Sequence, residues 1–212
     1  MREQYLRELA VLNADRQLSE HCQSVAARVI PLIGNERQSV AHRFDHLLRV
    51  LKNAESIAQS YQGVDMEILT MAVLLHDVDQ PFDDKANHVT YSATAAEKIL
   101  ADLAYPPDRT RRVLQAVREH STETIASSRP SSIEARILFD ADKLDGLGAC
   151  GILRVFALAR QMGRSTPDAI AWYRRKIQVA LENLQTPEGR EVARRRLPLV
   201  ESFLLELERE LE

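Results

Sequence analysis

The chain has 212 residues, 45% hydrophobic and 28% charged, which is ordinary for a globular protein large enough to form one domain with a sizeable core. A formal net charge of −3 gives no overall reason to expect a nucleic-acid partner. The only two cysteines, Cys22 and Cys150, are far apart and indicate neither a disulfide framework nor a thiolate metal site.

The first third of the chain predicts three helices, over 2–13, 16–33 and 38–61. The third carries an apolar stripe at alternating spacings of three and four residues, typical of a helix with one face in the core. The stripe consists of Phe44, Leu47, Leu51, Ala54, Ala58 and Tyr61. A polar stripe lies beside it, made of His42, His46, Arg49 and Asn53. Such a stripe is either solvated or lines a site.

The helix predicted over 65–77 is apolar almost all round from Met71 to Leu75, which indicates burial, and it ends in His76-Asp77. A polar loop, broken by a proline, is predicted over 78–89. Two more helices follow, over about 90–104 and 107–120.

The C-terminal half contains several helix signals and no convincing strand. Ser131 and Glu134 have the spacing of a capping box that would open the helix carrying Asp142. Two further starts combine a hydroxyl cap, a proline and an acid, at Thr166-Pro167-Asp168 and Thr186-Pro187-Glu188. Three glycines would allow a neighbouring helix to approach closely: Gly146, Gly148 and Gly151. Pro198 would kink or restart the last helix. The pattern predicts an all-α protein of about nine or ten helices.

Four side chains occur in an order that a divalent metal can use: His46, His76, Asp77 and Asp142. Imidazole nitrogen and carboxylate oxygen suit borderline to hard ions, and an incomplete protein ligand set leaves positions for water and substrate. Taken singly, each residue is more typical of a solvated or hydrogen-bonded group. Together they indicate a metal site, because burying His76 and Asp77 would be costly without a compensating partner.

The frames around these ligands resemble those of the HD superfamily of metal-dependent phosphohydrolases. The frames are His-Leu-Leu-Arg-Val at 46–50, Leu75-His76-Asp77 and Ala-Asp-Lys-Leu-Asp at 141–145. Other segments are similar to a small bacterial subfamily that includes proteins similar to a nucleoside-triphosphate pyrophosphohydrolase. They are His42, Glu119-His120-Ser121, 130–134, 140–149, Lys176, 186–189, 194–196 and Phe203. Arg43, the loop 79–84 and Pro198 depart from that subfamily's pattern.

The resemblance covers roughly residues 20–207 and implies an HD-type helical bundle. Because the sequence has no internal repeat, low-complexity tract or long linker, we expect a single domain over 1–212. It would have an extra N-terminal helix at 1–15, which the resemblance does not match, and C-terminal helices over 166–212 that pack on the core. The resemblance also implies one divalent ion, Mn²⁺ in preference to Mg²⁺, Fe²⁺, Ni²⁺ or Zn²⁺, held by the four ligands above.

Roles for other residues follow from the resemblance and from the chemistry of attack at phosphorus, which requires positive groups around the phosphoryl oxygens. The expected catalytic residues are Asp77, His120 and Asp145, the last either orienting a ligand or receiving a proton. The expected substrate-binding residues are Lys85, His88, His120 and Lys176, with Arg49 and Lys143 as further candidates. For each of these cations the ordinary alternative is a solvated surface side chain.

The implied activity is hydrolysis of a phosphoanhydride or phosphoester in a small nucleotide-like substrate, with pyrophosphohydrolysis of a nucleoside triphosphate as the specific expectation. The N-terminal sequence lacks a signal peptide's apolar core, and no apolar run approaches the length of a membrane span, so we expect a cytoplasmic protein without a membrane partner. The oligomeric state stays open.

Two other functional classes remain open. His88 and His120 complete the order His, His-Asp, His, His, Asp that dinuclear HD proteins use, including cyclic-dinucleotide phosphodiesterases and a few diiron oxygenases. A non-catalytic HD module that binds a nucleotide or a partner is the other alternative. The intact ligand set argues against that module, because loss of one ligand is the simplest route to it.

Overall fold

A computed structural model of the chain describes residues 7, 10, 12, 18–33, 41, 43–81, 87–122 and 129–212. Within these ranges the helices are α1 (Glu20–Ile33), α2 (Phe44–Ala58), α3 (Met66–Leu75), α4 (His88–Asp102), α5 (Pro107–Glu119), α6 (Ile133–Asp145), α7 (Gly148–Gln161), α8 (Thr166–Asn183) and α9 (Pro187–Arg209). Apart from an isolated bridge residue at Pro81, the same ranges contain no strand. The predicted all-α fold is confirmed. Apart from residues 7, 10 and 12, which are helical, the helix predicted over 2–13 lies outside the described residues.

The start of α6 differs from the prediction by one residue. Ser132, not Ser131, is the N-cap of α6 and accepts a hydrogen bond from the backbone N–H three residues on. The hydroxyl of Ser131 instead donates to Glu119 of α5 at 2.9 Å, and the Glu134 carboxylate accepts from the backbone N–H of Asp65, the N-cap of α3, at 3.0 Å. The predicted capping box was wrong because both of its side chains bond to other helices.

The two C-terminal helix starts were predicted with mixed success. Ser165 rather than Thr166 caps α8, so the hydroxyl cap lies one residue earlier than expected. Thr186 caps α9 as predicted and accepts from the backbone N–H of Gly189 at 2.9 Å. Helix α9 continues through Pro198 without ending or restarting there.

Helix α4 begins at His88, inside the segment that was predicted as a polar loop over 78–89. His88 and Ser92 are both buried, and with Ala96 they recur at the four-residue spacing of one helix face. The loop prediction was wrong at this end because buried polar residues interrupt the apolar pattern that marks a helix face.

The core is centred on α3, in which every residue from Ile68 to Leu75 is buried. Helix α3 contacts α1, α2, α4, α5 and α6, and α2 packs along α6. Leu184 and Ala193, from the C-terminal part of the chain, join this core. A second, smaller apolar cluster connects α7, α8 and α9 through Val155, Ile170, Tyr173, Val200 and Leu204. The C-terminal end of α3 is therefore enclosed by α2 and α6, where polar side chains meet.

The end of α6 and the start of α7 approach each other as the glycines predicted. A Cβ atom on Gly151 would overlap the backbone carbonyl group of Gly146. Gly148 adopts a positive φ of 79°, which favours glycine. The close approach places Arg154 of α7 beside the end of α6, where it donates to the backbone carbonyl of Asp145 at 3.1 Å. Among the described residues, no helix is both long and apolar enough to cross a membrane.

Candidate metal centre

The four predicted ligands meet where α2, α3 and α6 come together. His46 lies on α2, His76 follows the last residue of α3 with Asp77 next to it, and Asp142 lies on α6. One ligand atom from each of the four lies within 4.8 Å of the ligand atoms of the others. The Nε2 atom of His46 is 3.3 Å from Nε2 of His76, 3.6 Å from Oδ1 of Asp142 and 3.8 Å from Oδ2 of Asp77.

The hydrogen bonds of the two imidazoles decide which nitrogen faces the centre. Nδ1 of His76 is 2.7 Å from the carbonyl oxygen of Val73, which can only accept, so Nδ1 carries the proton and Nε2 presents a lone pair. Nδ1 of His46 is likewise 2.7 Å from a carboxylate oxygen of Asp145. Two lone pairs 3.3 Å apart, beside two carboxylates, repel each other unless a cation lies among them. The donor set therefore fits a divalent ion.

Burial and neighbouring charges keep His76 and Asp142 in the protonation states that a metal requires. Burial lowers the pKa of His76 to about 4, so its imidazole is neutral at neutral pH. Burial alone would raise the pKa of Asp142, but Lys143 and the two imidazoles outweigh it and hold the pKa well below its ordinary value. Nζ of Lys143 lies 2.6 Å from Oδ2 of Asp142, which leaves Oδ1 facing His46 and His76.

Asp145 is buried behind His46 and holds it in place. Besides the contact with Nδ1 of His46, its carboxylate accepts from Nε of Arg49 at 2.6 Å and pairs with Arg154 at 2.6 Å. Burial raises the pKa of Asp145, yet these donors hold the pKa below its ordinary value. Of the two roles expected for Asp145, these contacts fit the orientation of a ligand. Arg49 also pairs with Asp45 at 2.7 Å.

A second group of possible metal donors adjoins the first and shares Asp77. It consists of Asp77, His88 and His120, whose donor atoms also lie within 4.8 Å of one another. Nδ1 of His120 is 2.6 Å from the carbonyl oxygen of Val117, so Nε2 faces Asp77, at 3.4 Å from Oδ1. The ring centroids of His88 and His120 are 5.5 Å apart. The two oxygens of Asp77 therefore face different groups.

A cavity of about 400 Å³ opens from this double group toward α7 and α8. Asp77, His88, His120 and Asp142 line one end of it. Five cationic residues also line it: Lys143, Arg154, Arg164, Arg175 and Lys176. Among the described lining residues, Asp77 and Asp142 are the only acids. A ligand entering this cavity meets a surface rich in positive charge.

The other predicted site residues divide into three outcomes. Lys176 lines the cavity, whereas Arg49 is held by Asp45 and Asp145 and is not among the lining residues. Lys85 and His42 lie outside the described residues.

Three residues that the sequence analysis passed over belong to this region: Arg154, Arg164 and Trp172. The four-residue spacing of Trp172 and Lys176 on α8 could have indicated a ring–cation pair. No local signal could have identified Arg154 or Arg164, because their partners come from other segments.

Comparison with known proteins gives consistent results. Residues 43–147 match the family model described as HD domain. YpgQ of Bacillus subtilis, an uncharacterized protein, is 27% identical over 181 residues, covering 82% of this chain and 86% of YpgQ. The structure of YpgQ in complex with ADP superposes with a TM-score of 0.70 at 23% identity, covering 89% of this chain and 97% of YpgQ.

Two further solved structures share the fold. A protein of Lactobacillus plantarum has a TM-score of 0.75 at 19% identity, covering 92% of this chain and 99% of the other. A predicted HD superfamily hydrolase from an uncultured Thermotogales bacterium has a TM-score of 0.60 at 26% identity, covering 91% of this chain and 92% of the other. The matched segment begins three residues before His46 and ends five residues after Asp142, so it spans all four ligands. The chain is therefore a member of the HD superfamily, with its HD domain over residues 43–147.

Proposed function

We propose that this chain is a metal-dependent phosphohydrolase acting on nucleotides, and that its specific reaction is pyrophosphohydrolysis of a nucleoside triphosphate. In that reaction water cleaves the bond between the α- and β-phosphoryl groups, releasing a nucleoside monophosphate and pyrophosphate. The observation that carries the proposal is the convergence of His46, His76, Asp77 and Asp142 at one end of a cationic cavity. The ADP bound to YpgQ supports a nucleotide as the ligand class.

The donor set and the cavity supply complementary parts of the chemistry. A divalent ion held by the four ligands would supply polarisation of a phosphoryl oxygen and would acidify water. Lys143, beside Asp142 on the cavity wall, provides positive charge near the reacting phosphoryl oxygens, which stabilises negative charge as it develops. Lys176 on the same wall provides positive charge for binding the substrate's phosphates. Mn²⁺ is the ion we favour: carboxylate oxygens suit it, and the two imidazoles make Mg²⁺, which prefers oxygen ligands, the poorer fit.

His120 is the residue best placed to exchange a proton in the cavity. Its Nδ1 donates to the carbonyl of Val117, so a neutral His120 offers the Nε2 lone pair as a proton acceptor. A protonated His120 would instead donate from Nε2 to Asp77 or to a phosphate oxygen. Both forms support a role for His120 in acid–base catalysis or phosphate contact, and we propose His88, whose ring lies beside that of His120, as a further phosphate contact.

Product analysis tests this proposal directly. Purified protein with Mn²⁺ and a panel of nucleoside triphosphates should yield nucleoside monophosphate and pyrophosphate, separated by ion-exchange chromatography. The same protein stripped of metal by a chelator, and the Asp77→Asn variant, should yield neither product. Release of orthophosphate with nucleoside diphosphate would contradict the specific reaction, and no phosphate release from any nucleotide would contradict the phosphohydrolase itself.

A second candidate, a dinuclear iron oxygenase, is favoured by one observation. Nε2 of His120 and Oδ1 of Asp77 face each other at 3.4 Å, and with His88 they could hold another ion. The alternative explanation for the same contact is a protonated His120 that donates to Asp77. Iron-dependent oxygen consumption, together with two ions per chain, would support the oxygenase, whereas hydrolysis with one Mn²⁺ per chain would exclude it.

A further inference from the structure

The part of the cavity wall formed by α7, α8 and the turn between them contains one aromatic ring and two cations that contact it. The guanidinium carbon of Arg164 lies 4.8 Å from the centroid of the Trp172 ring. The Nζ atom of Lys176 lies 5.2 Å from the same centroid. One aromatic ring therefore holds two cations at the wall of a single cavity.

The helix end before Arg164 fixes where this residue lies. Gly163 adopts a positive φ of 69° and donates to the carbonyl of Arg160 at 3.0 Å, while Arg164 donates to the carbonyl of Ala159 at 3.0 Å. These are the bonds of a glycine-terminated helix C-terminus. The turn directs the chain so that Arg164 meets Trp172 of the next helix.

Within the described part of the chain, no carboxylate neutralises the charge of Arg164. Across the residues that the structure describes, no acid forms an ion pair with it, and its buried Nε has no hydrogen-bond partner. Arg154 and Lys143, by contrast, each pair with an acid at 2.6 Å. An aromatic ring positions a cation without cancelling its charge, so the donors of Arg164 remain available for an anion.

We infer that Arg164, Trp172 and Lys176 form a clamp for the phosphates of the substrate that lie away from the reacting phosphorus. This inference rests on the proposed function, because it assumes that the substrate occupies this cavity. The two positive charges of a divalent ion would balance the carboxylates of Asp77 and Asp142. The negative charge of the substrate's phosphates would then have to be neutralised by cationic side chains such as these. The clamp would select substrates by the length of their phosphate chain.

Trp172 gives the clamp its own optical probe, because it is the chain's only tryptophan. The full-length protein is titrated with orthophosphate, pyrophosphate, tripolyphosphate and a free nucleoside at a fixed concentration of Mg²⁺, and tryptophan emission is followed. We expect emission to change with tripolyphosphate, at lower concentrations than with the shorter phosphates, and to stay constant with the nucleoside. This readout needs no turnover, so it can succeed even if the proposed hydrolysis fails.

Two variants and two matched controls identify the side chains responsible. Arg164→Gln and Lys176→Gln should each weaken tripolyphosphate binding about 10-fold or more, as expected for loss of a charged hydrogen bond. Arg160→Gln and Lys98→Gln remove the same charge from exposed positions outside the cavity lining and should bind as wild type does. Circular dichroism and thermal melting establish that each variant is folded.

Three results would overturn the clamp. The first is unchanged tripolyphosphate affinity in both Arg164→Gln and Lys176→Gln. The second is an equal loss of affinity in the exposed controls, which would indicate a general charge effect. The third is an emission change with the free nucleoside but not with tripolyphosphate, which would assign this end of the cavity to the nucleobase.

Discussion

The two ends of the cavity hold their polar groups by different means. At the metal end a second protein group fixes each of three ligands: the Val73 carbonyl holds His76, Asp145 holds His46 and Lys143 holds Asp142. At the α7–α8 end Trp172 holds its cations by ring contacts. The side chains at the first end are therefore fixed before a ligand arrives, whereas at the second end Nε of Arg164 has no hydrogen-bond partner among the described residues.

The largest effect should follow from Asp77→Asn, which keeps the side-chain volume and removes the charge. Asp77 is the one residue that both donor groups share, so its loss should lower hydrolysis about 10³-fold or more and reduce metal binding. Activity assays and elemental analysis of bound metal measure the two effects. His21→Ala, in a half-exposed side chain on α1, should change neither.

The helical fold should survive the loss of Asp77, because the apolar residues of α3 supply the packing there. Circular dichroism of the variant and of metal-free wild type should therefore remain helical. Loss of the helical signal on removing metal would show that the ion, and not only the apolar packing of α3, is required for the fold.

His120→Ala should lower turnover about 10²-fold while leaving metal binding intact. The reason is that the four proposed ligands of the first group do not include His120. Its Nε2 lies 3.4 Å from Oδ1 of Asp77, whereas Oδ2 of Asp77 faces His46 and His76. The number of metal ions bound per chain, measured in wild type and in the variant, distinguishes a one-ion site from a dinuclear site. A fall from two ions to one would instead support the dinuclear alternative.

Asp145→Asn should weaken metal affinity about 10- to 100-fold, the range usual for the partner of a ligating histidine. An amide can donate to Nδ1 of His46 and so favour the tautomer whose Nε2 carries a proton and cannot bind metal. Metal titration by calorimetry measures the loss.

Asp45→Asn is the matched control for this position. Asp45 shares Arg49 with Asp145, but its side chain is 68% exposed. Equal losses of metal affinity in the two variants would show that the arginine, and not the orientation of His46, is responsible.

The smallest effect concerns the turn before Arg164. Gly163→Ala should destabilise the fold by about 1–2 kcal/mol, because φ is positive there although space for a methyl group exists. It should also raise the KM for nucleoside triphosphate, since the turn positions Arg164. Gly63→Ala, at a similar φ of 78° and also with open space, should give the same stability loss in urea unfolding without a KM change. Equal KM values in the two variants would show that the turn at Gly163 does not contribute to substrate binding.

The convergence of the four proposed metal ligands was predictable from the sequence because each lies in a distinctive local frame on a helix or at its end. The prediction that His46, His76 and Asp142 lie together required only the order of three motifs and no knowledge of side-chain packing. The two helices were equally predictable, since α2 has a strong apolar periodicity and α3 is a continuous apolar segment.

The contacts between helices were not predictable in the same way. Arg154 reaches Asp145 because the glycines bring α7 against α6, and the sequence does not specify the direction of that approach. His88 was assigned to a loop because hydrophobic periodicity treats a polar residue as exposed. It cannot identify a polar residue that is buried at a site. The position of Arg164, the recognition residue that we propose, depends on such contacts, whereas the sequence frames of the proposed ligands do not.

Anomalous diffraction from crystals soaked in Mn²⁺ would test the central claim most directly. We predict a single peak that lies within coordination distance of His46, His76, Asp77 and Asp142, at about 2.0–2.3 Å from each donor atom. A peak that excludes Asp142 would contradict the proposed ligand set. A second peak among Asp77, His88 and His120 would contradict the one-ion mechanism.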